Sequence, residues 1–242
     1  MSRTLCREGF GYVTDETVAV REDGSVIPFE KPIAVVPEGG GPKIELGPDE
    51  LGLTRCPGEL WLQGLVVLDR HEDHGEPSIE AMDLPAAIAA VVPHVSALPQ
   101  LPGALNRLAG SMDACGGTFR IRYREAAQIG DMINEVLAAE PICSDYDWLP
   151  PDSGQVESTG ALVRRAPYRD ALRIDGRVIV LLDSTCLQLQ GIGSLIWLAA
   201  ARPRAVSELV EEMVAQLGDH PDAPALVQDA VDELAAQGAL AT

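Results

Sequence analysis

From Ala171 to Leu240 the spacing of apolar residues changes period once, from two to about 3.6, and that switch limits the fold more than any other feature of the chain. ALRI and RVIVLL are two extended runs around Asp175-Gly176, a pair that tolerates the positive φ of a tight hairpin turn. CLQLQ alternates, with Leu187 and Leu189 on one face and Gln188 and Gln190 on the other. The helical period then takes over. One helix carries Ile192, Leu195, Ile196 and Ala199 and stops before Pro203. A second begins near Ser207, shows Leu209, Val210, Met213, Val214 and Leu217, and ends at Gly218, read as a left-handed cap. The third has Pro224 in its first turn, presents Leu226, Val227, Ala230, Val231 and Leu234, and closes at Gly238. Three strands followed by three helices make a complete apolar set, so the tail from about Leu162 is expected to fold alone.

Upstream, PICSDYDWLPPDSGQVESTG breaks every periodicity with adjacent prolines, acids and small polar residues, so a linker is expected over 141–160. It separates a domain at 1–140 from one at 161–242. In the first domain VAVREDGSVIPF reads as a hairpin around Asp23-Gly24, and Pro37 to Pro48 as a loop. Leu65 to Leu68 reads as a buried strand, LPAAIAAVVPHVSAL as a helix ending near Pro93, and LPGALNRLAGSM as another helix. FRIRYR is a short strand. EAAQIGDMINEVLAAE is a helix with Ile129, Ile133, Val136 and Leu137 on one face.

A net charge of -19 argues against nucleic acid and anionic membrane as partners, because both need a basic footprint. The five cysteines, Cys6, Cys56, Cys115, Cys143 and Cys186, are scattered and never spaced C-x-x-C, the usage of reduced thiols in a cytoplasmic protein. No apolar run approaches the roughly 18 residues of a membrane span.

The strand-to-helix junction of the tail reads Leu189-Gln190-x-x-Gly193-x-x-Ile196-Trp197. With RVIVLLD before it and SELVEEMVAQLG and ELAAQGAL after it, the stretch from Arg164 to Leu240 resembles the PqqD family of small peptide-binding modules, also called RiPP recognition elements. Gln190 stands where asparagine is usual, and Ser184-Thr185-Cys186 replaces the commoner glycine and aromatic residues. Read from the residues themselves, Gly193 permits close helix packing, and Ile196 and Trp197 fill the core. The resemblance implies a winged-helix module that captures the leader of a ribosomally made precursor peptide and presents it to a peptide-modifying enzyme. The leader would add as a strand along Thr185, Cys186, Leu187, Gln188, Leu189 and Gln190. Its apolar anchors would meet Val227, Val231 and Leu234 of the last helix, with Val231 the central contact. Winged helices also bind DNA, but Glu208, Glu211, Glu212, Asp229, Asp232 and Glu233 on the second and third helices would repel phosphate. A non-catalytic protein-interaction scaffold is a further reading of the same groove.

CREGFGYVTDETVAV, continued by VIPFEKP, LVVLDR and FRIRYREA, is similar to the segment after the P-loop in HPr kinase-like proteins, over about Met1 to Glu140. That resemblance places Asp15 and Glu16 at the metal-bound nucleotide, and the phosphate-holding loop ahead of Met1. GGGPK is no substitute, since Pro42 lacks the N–H that a phosphate cradle needs before Lys43. The N-terminal part therefore reads as a truncated HPr kinase-like domain with Asp15 and Glu16 a vestigial site. ATP and magnesium are expected only if a P-loop lies upstream, in which case the protein is a kinase with a recognition module attached. His71 and His74 fall in a Gly- and Pro-containing loop, so neither a metal site nor a catalytic constellation is expected. The fold class expected is α+β: an incomplete α/β domain, then the three-strand, three-helix module.

Overall fold

The computed structural model describes the 242 residues apart from Glu38, Arg55, Pro57, Ala97, Ser184 and the stretch 152–161. The chain begins with α1 (Ser2–Arg7), then β1 (Ala19–Val20), β2 (Ser25–Ile27), β3 (Ile33–Val35), β4 (Ile44–Leu46), β5 (Leu60–Trp61), β6 (Leu65–Arg70) and β7 (Ser78–Ala81). Next come α2 (Leu84–Val91), α3 (Ala104–Ala114), β8 (Thr118–Tyr123), α4 (Gly130–Leu137) and β9 (Asp147–Leu149). The remainder is β10 (Arg164–Arg165), β11 (Asp170–Ile174), β12 (Arg177–Leu181), β13 (Cys186–Leu189), α5 (Gly191–Ala199), α6 (Val206–Leu217), α7 (Ala223–Ala236) and β14 (Leu240–Ala241). The fold is α+β.

Two compact units form, and they are not the sequential domains 1–140 and 161–242. One comprises Met1–Asp83 and Ser111–Ile142, the other Leu84–Gly110 and Cys143–Thr242. Part of the expected linker is structural: β9 pairs antiparallel with β11, Trp148 opposite Leu172. Residues 152–160 of that linker lie outside the described residues.

In the second unit, antiparallel strands run in the order β13-β12-β11-β9. The β11–β12 turn sits where expected, with Asp175 at φ 49° and Gly176 at φ 75°, the conformations the Asp-Gly pair tolerates. Ala171, Val178, Val180 and Leu189 point to one face and are buried with Ile196, Trp197, Leu209, Met213, Val227, Val231 and Leu234 of α5, α6 and α7. Trp197 stacks edge-on to Tyr168, and the Arg165 guanidinium lies 3.9 Å from its ring centroid. Arg165 Nε also donates to Trp197 O at 2.7 Å and Nη2 to Leu198 O at 3.0 Å, closing the C-terminus of α5. Gly193 departs from expectation: a Cβ there would meet no atom within 4 Å, so close packing does not require it. Gly218 has φ 96° but ψ 167°, an extended exit rather than the left-handed cap expected.

The opposite face of the sheet is covered too. Leu172, Ile179 and Leu181 lie on it and are buried, as are Ala87, Ile88, Leu98 and Leu105 from the 84–110 segment. Asp170 pins that segment: Oδ2 accepts from Leu105 N–H at 2.6 Å and Asn106 N–H at 3.3 Å, so it caps the first turn of α3 from 65 residues away in sequence. Oδ1 accepts from Trp148 Nε1 at 2.6 Å and Ala171 N–H at 3.0 Å. A sheet buried on both faces explains why VIVLL, after Arg177, is an unbroken apolar run. It also explains why 84–110 belongs with the tail, which does not supply all of its own cover.

Among the described residues the first unit holds three small sheets. β6 pairs parallel with β8, and β7 antiparallel with β8, in the order β6-β8-β7; β1-β2-β5 and β3-β4 are antiparallel. The hairpin at Asp23-Gly24 forms as expected, with Val20 opposite Val26. Leu65 to Leu68, expected to be buried, is only partly so, because β6 is an edge strand; Leu68 is 46% exposed. Phe10 to Val13 forms no strand; Tyr12 alone is buried there, its N–H bonded to Thr54 O. At α4 the N-cap residue Ile129 and Val136 are buried, while Leu137 faces outward.

Candidate functional site

β13 lies at the edge of its sheet, and its register decides which backbone groups are free. Leu182 N–H donates to Thr185 O at 2.8 Å, and Val180 and Val178 stand opposite Leu187 and Leu189. Hydrogen-bonded pairs recur every second residue in an antiparallel ladder, so Thr185, Leu187 and Leu189 direct their N–H and C=O groups to β12. Cys186 and Gln188 direct theirs outward, and Gln190 continues the extended run as the N-cap of α5. Among the described residues no strand pairs with that edge. Of the six consecutive residues expected along this strand, the register gives Cys186 and Gln188 the outward groups.

Their side chains split by face. Leu187 and Leu189 pack on the helix side. Cys186 and Gln188 stand on the other face, where an apolar cleft of about 440 Å³ opens between β13 and the segment following α2. Val92, Pro93, Val95, Leu98 and Pro99 line one wall, and Leu181, Thr185, Cys186 and Gln188 the other. Gln188 Nε2 donates to Pro85 O at 2.7 Å, fastening β13 to the start of α2. Burial pushes the Cys186 thiol up to about 11, so it stays protonated at neutral pH and acts as an apolar wall, not a nucleophile.

The helix side of the expected groove is not open. Val227, Val231 and Leu234 are buried at 0, 1 and 4% exposure within the core. The apolar stripe of α7 therefore serves the fold, and Val231 is a packing residue. The large apolar side chain that α7 leaves exposed among the described residues is Leu226, beside a smaller cleft of about 220 Å³ that Ile192, Met213 and Leu217 share.

Sequence reasoning missed the wall supplied by 84–99. A signal was present: LPAAIAAVVPHVSALP holds no Asp, Glu, Lys or Arg in a chain that is 23% charged. A helix without a polar face needs cover on more than one side.

Asp15 and Glu16 are exposed and engaged by their neighbours. Glu16 forms an ion pair with Lys31. The Tyr12 phenolic oxygen lies 2.8 Å from Lys31 O and 3.3 Å from Asp15 Oδ1, and burial, with the Asp15 charge adding to it, raises the phenol to about 12. His74 Nε2 is 3.1 Å from Asp69 Oδ1 and, with Arg122 nearby, holds that carboxyl below its usual range. His71 Nδ1 accepts from Asp73 N–H. Among the described residues no three His, Cys, Asp or Glu side chains come together as a metal site, and no helix is long and apolar enough to cross a membrane.

No protein-family model matches the chain, and neither a curated protein nor a solved structure does.

Proposed function

We propose that the second unit is a peptide-binding module in which an extended segment adds to the outer edge of β13. The observation that carries this reading is the row of outward backbone groups at Cys186 and Gln188, on an edge strand that no strand covers among the described residues. Such an edge is a template for a further strand, and main-chain hydrogen bonds supply much of the affinity. The PqqD-like order of elements supports the leader of a ribosomally made precursor as the peptide, with a peptide-modifying enzyme as the second partner. The test uses a phage-displayed library of short random peptides panned on the full chain, followed by amide hydrogen exchange on the complexes. Slowed exchange at the Cys186 and Gln188 amides is expected. Binders that leave both amides unchanged overturn the assignment.

The HPr kinase-like reading of the first unit rests on the parallel β6–β8 pair and on the Asp15-Glu16 carboxylates. Since Lys31 already holds Glu16, these residues fit a vestigial site better than a working one. Calorimetry with magnesium and ATP tests this, and micromolar binding overturns it.

A further inference from the structure

Resting on the strand-addition reading, we infer that the cleft between β13 and the wall of Val92, Pro93, Val95, Leu98 and Pro99 is the specificity pocket of the module. It selects peptides with a bulky, uncharged apolar side chain at a fixed position. Residues directly opposite one another in a ladder place their side chains on the same face. A strand bonded to the outward groups of Cys186 and Gln188 has residues opposite those two, so its side chains at those positions fall on the face of Cys186, Gln188 and Leu181. That is where the cleft opens. The backbone edge therefore defines both the occupant, an extended chain, and the direction of its side chains.

The lining defines their chemistry. Among the described residues no Asp, Glu, Lys or Arg borders the cleft, although the chain carries a net charge of -19. A charged anchor would lose its hydration there and gain no counter-charge. Val92, Val95, Leu98 and Leu181 instead offer aliphatic surface to an aromatic or large aliphatic group, and about 440 Å³ admits one without moving the walls. Selectivity lies on the face opposite the three helices, in a wall contributed by residues distant in sequence from the strand.

The experiment uses peptides selected from the random library on the full chain. Selected sequences are expected to share a Leu, Ile, Met, Phe, Tyr or Trp at one position, and alanine there is expected to weaken binding at least tenfold. Ala89 is an exposed helical residue on the rim, so Ala89→Trp fills the cleft from outside the core; it is expected to cost the same tenfold, whereas Ala225→Trp, at an exposed position of α7 away from the cleft, leaves affinity unchanged. Circular dichroism verifies that both variants fold. If Ala89→Trp folds and binds the peptides undiminished while Cys186 and Gln188 remain protected, the pocket is refuted and strand addition stands. Should Ala89→Trp misfold, the alanine-substituted peptide decides alone: unchanged affinity refutes the pocket. Binders that protect neither amide, or no enrichment over phage without insert, overturn both readings.

Discussion

Replacing Asp170 tests whether the 84–110 segment is integral to the second unit. The carboxylate is 1% exposed and accepts four N–H groups. In Asp170→Ala the Leu105 N–H, at a fully buried residue, loses its acceptor, which costs about 1–3 kcal/mol. Trp148 is 45% exposed and Asn106 is partly exposed, so their donors regain water at a smaller cost, about 0.5–1.5 kcal/mol each. Relief of the buried carboxylate's desolvation returns part of this. A net loss of about 3 kcal/mol is expected, which in a chain of this size lowers Tm by roughly 6–12 °C. Asp170→Asn keeps one acceptor oxygen but turns an amide N–H toward a donor, so it should lose about half as much. Trp148→Phe removes the donor at the other oxygen, and in a double-mutant cycle with Asp170→Ala it should show coupling of about 0.5–1.5 kcal/mol. Chemical denaturation monitored by circular dichroism measures the four variants against the parent. A loss below about 0.5 kcal/mol for Asp170→Ala, with amide exchange at Leu105 unchanged, would refute the tether.

A fragment covering 162–242 should fail to fold cooperatively, because exposing Leu172, Ile179 and Leu181 forfeits about 5–9 kcal/mol, as much as a whole domain's margin. The second unit alone, 84–110 joined to 143–242 by a flexible linker, should fold, and a cooperative melt of the short fragment alone would contradict the division into units. Val231→Asp should abolish the cooperative transition, since it buries an unpaired charge at a cost of about 3 kcal/mol or more; a folded variant would place Val231 on a surface. For the thiols, burial raises Cys186, so its reactive thiolate gains population only as the pH climbs toward 11. Iodoacetamide at pH 8 should modify exposed Cys143 well before Cys186, as peptide mass spectrometry can read, and equal rates would mean that β13 is open. Finally, a Cβ at Gly64 would lie 2.5 Å from Val136 Cγ1, so Gly64→Ala should destabilise the first unit by about 1–3 kcal/mol in thermal melts.

Local pattern alone determined much of this protein. Both Asp-Gly hairpins, the alternating CLQLQ strand and the three C-terminal helices follow from residues that are neighbours in sequence, because turn chemistry and the periods of two and 3.6 are properties of short stretches. Ile196 and Trp197 were legible as core for the same reason. What the tertiary structure decided was allegiance. That α2 and the start of α3 pack with the tail depends on Gln188 reaching Pro85 across 103 residues and Asp170 reaching Leu105 across 65. No periodicity encodes such a pairing; it arises because two apolar surfaces each lack cover and one buried carboxylate needs donors. The candidate site divides along the same line. The strand edge at 185–190 could be read from the sequence, while the burial of Val227, Val231 and Leu234 could not, since an apolar stripe looks the same whether it faces a ligand or a core. The cleft wall of Val92, Pro93, Val95, Leu98 and Pro99 exists only because the fold brings it against the strand.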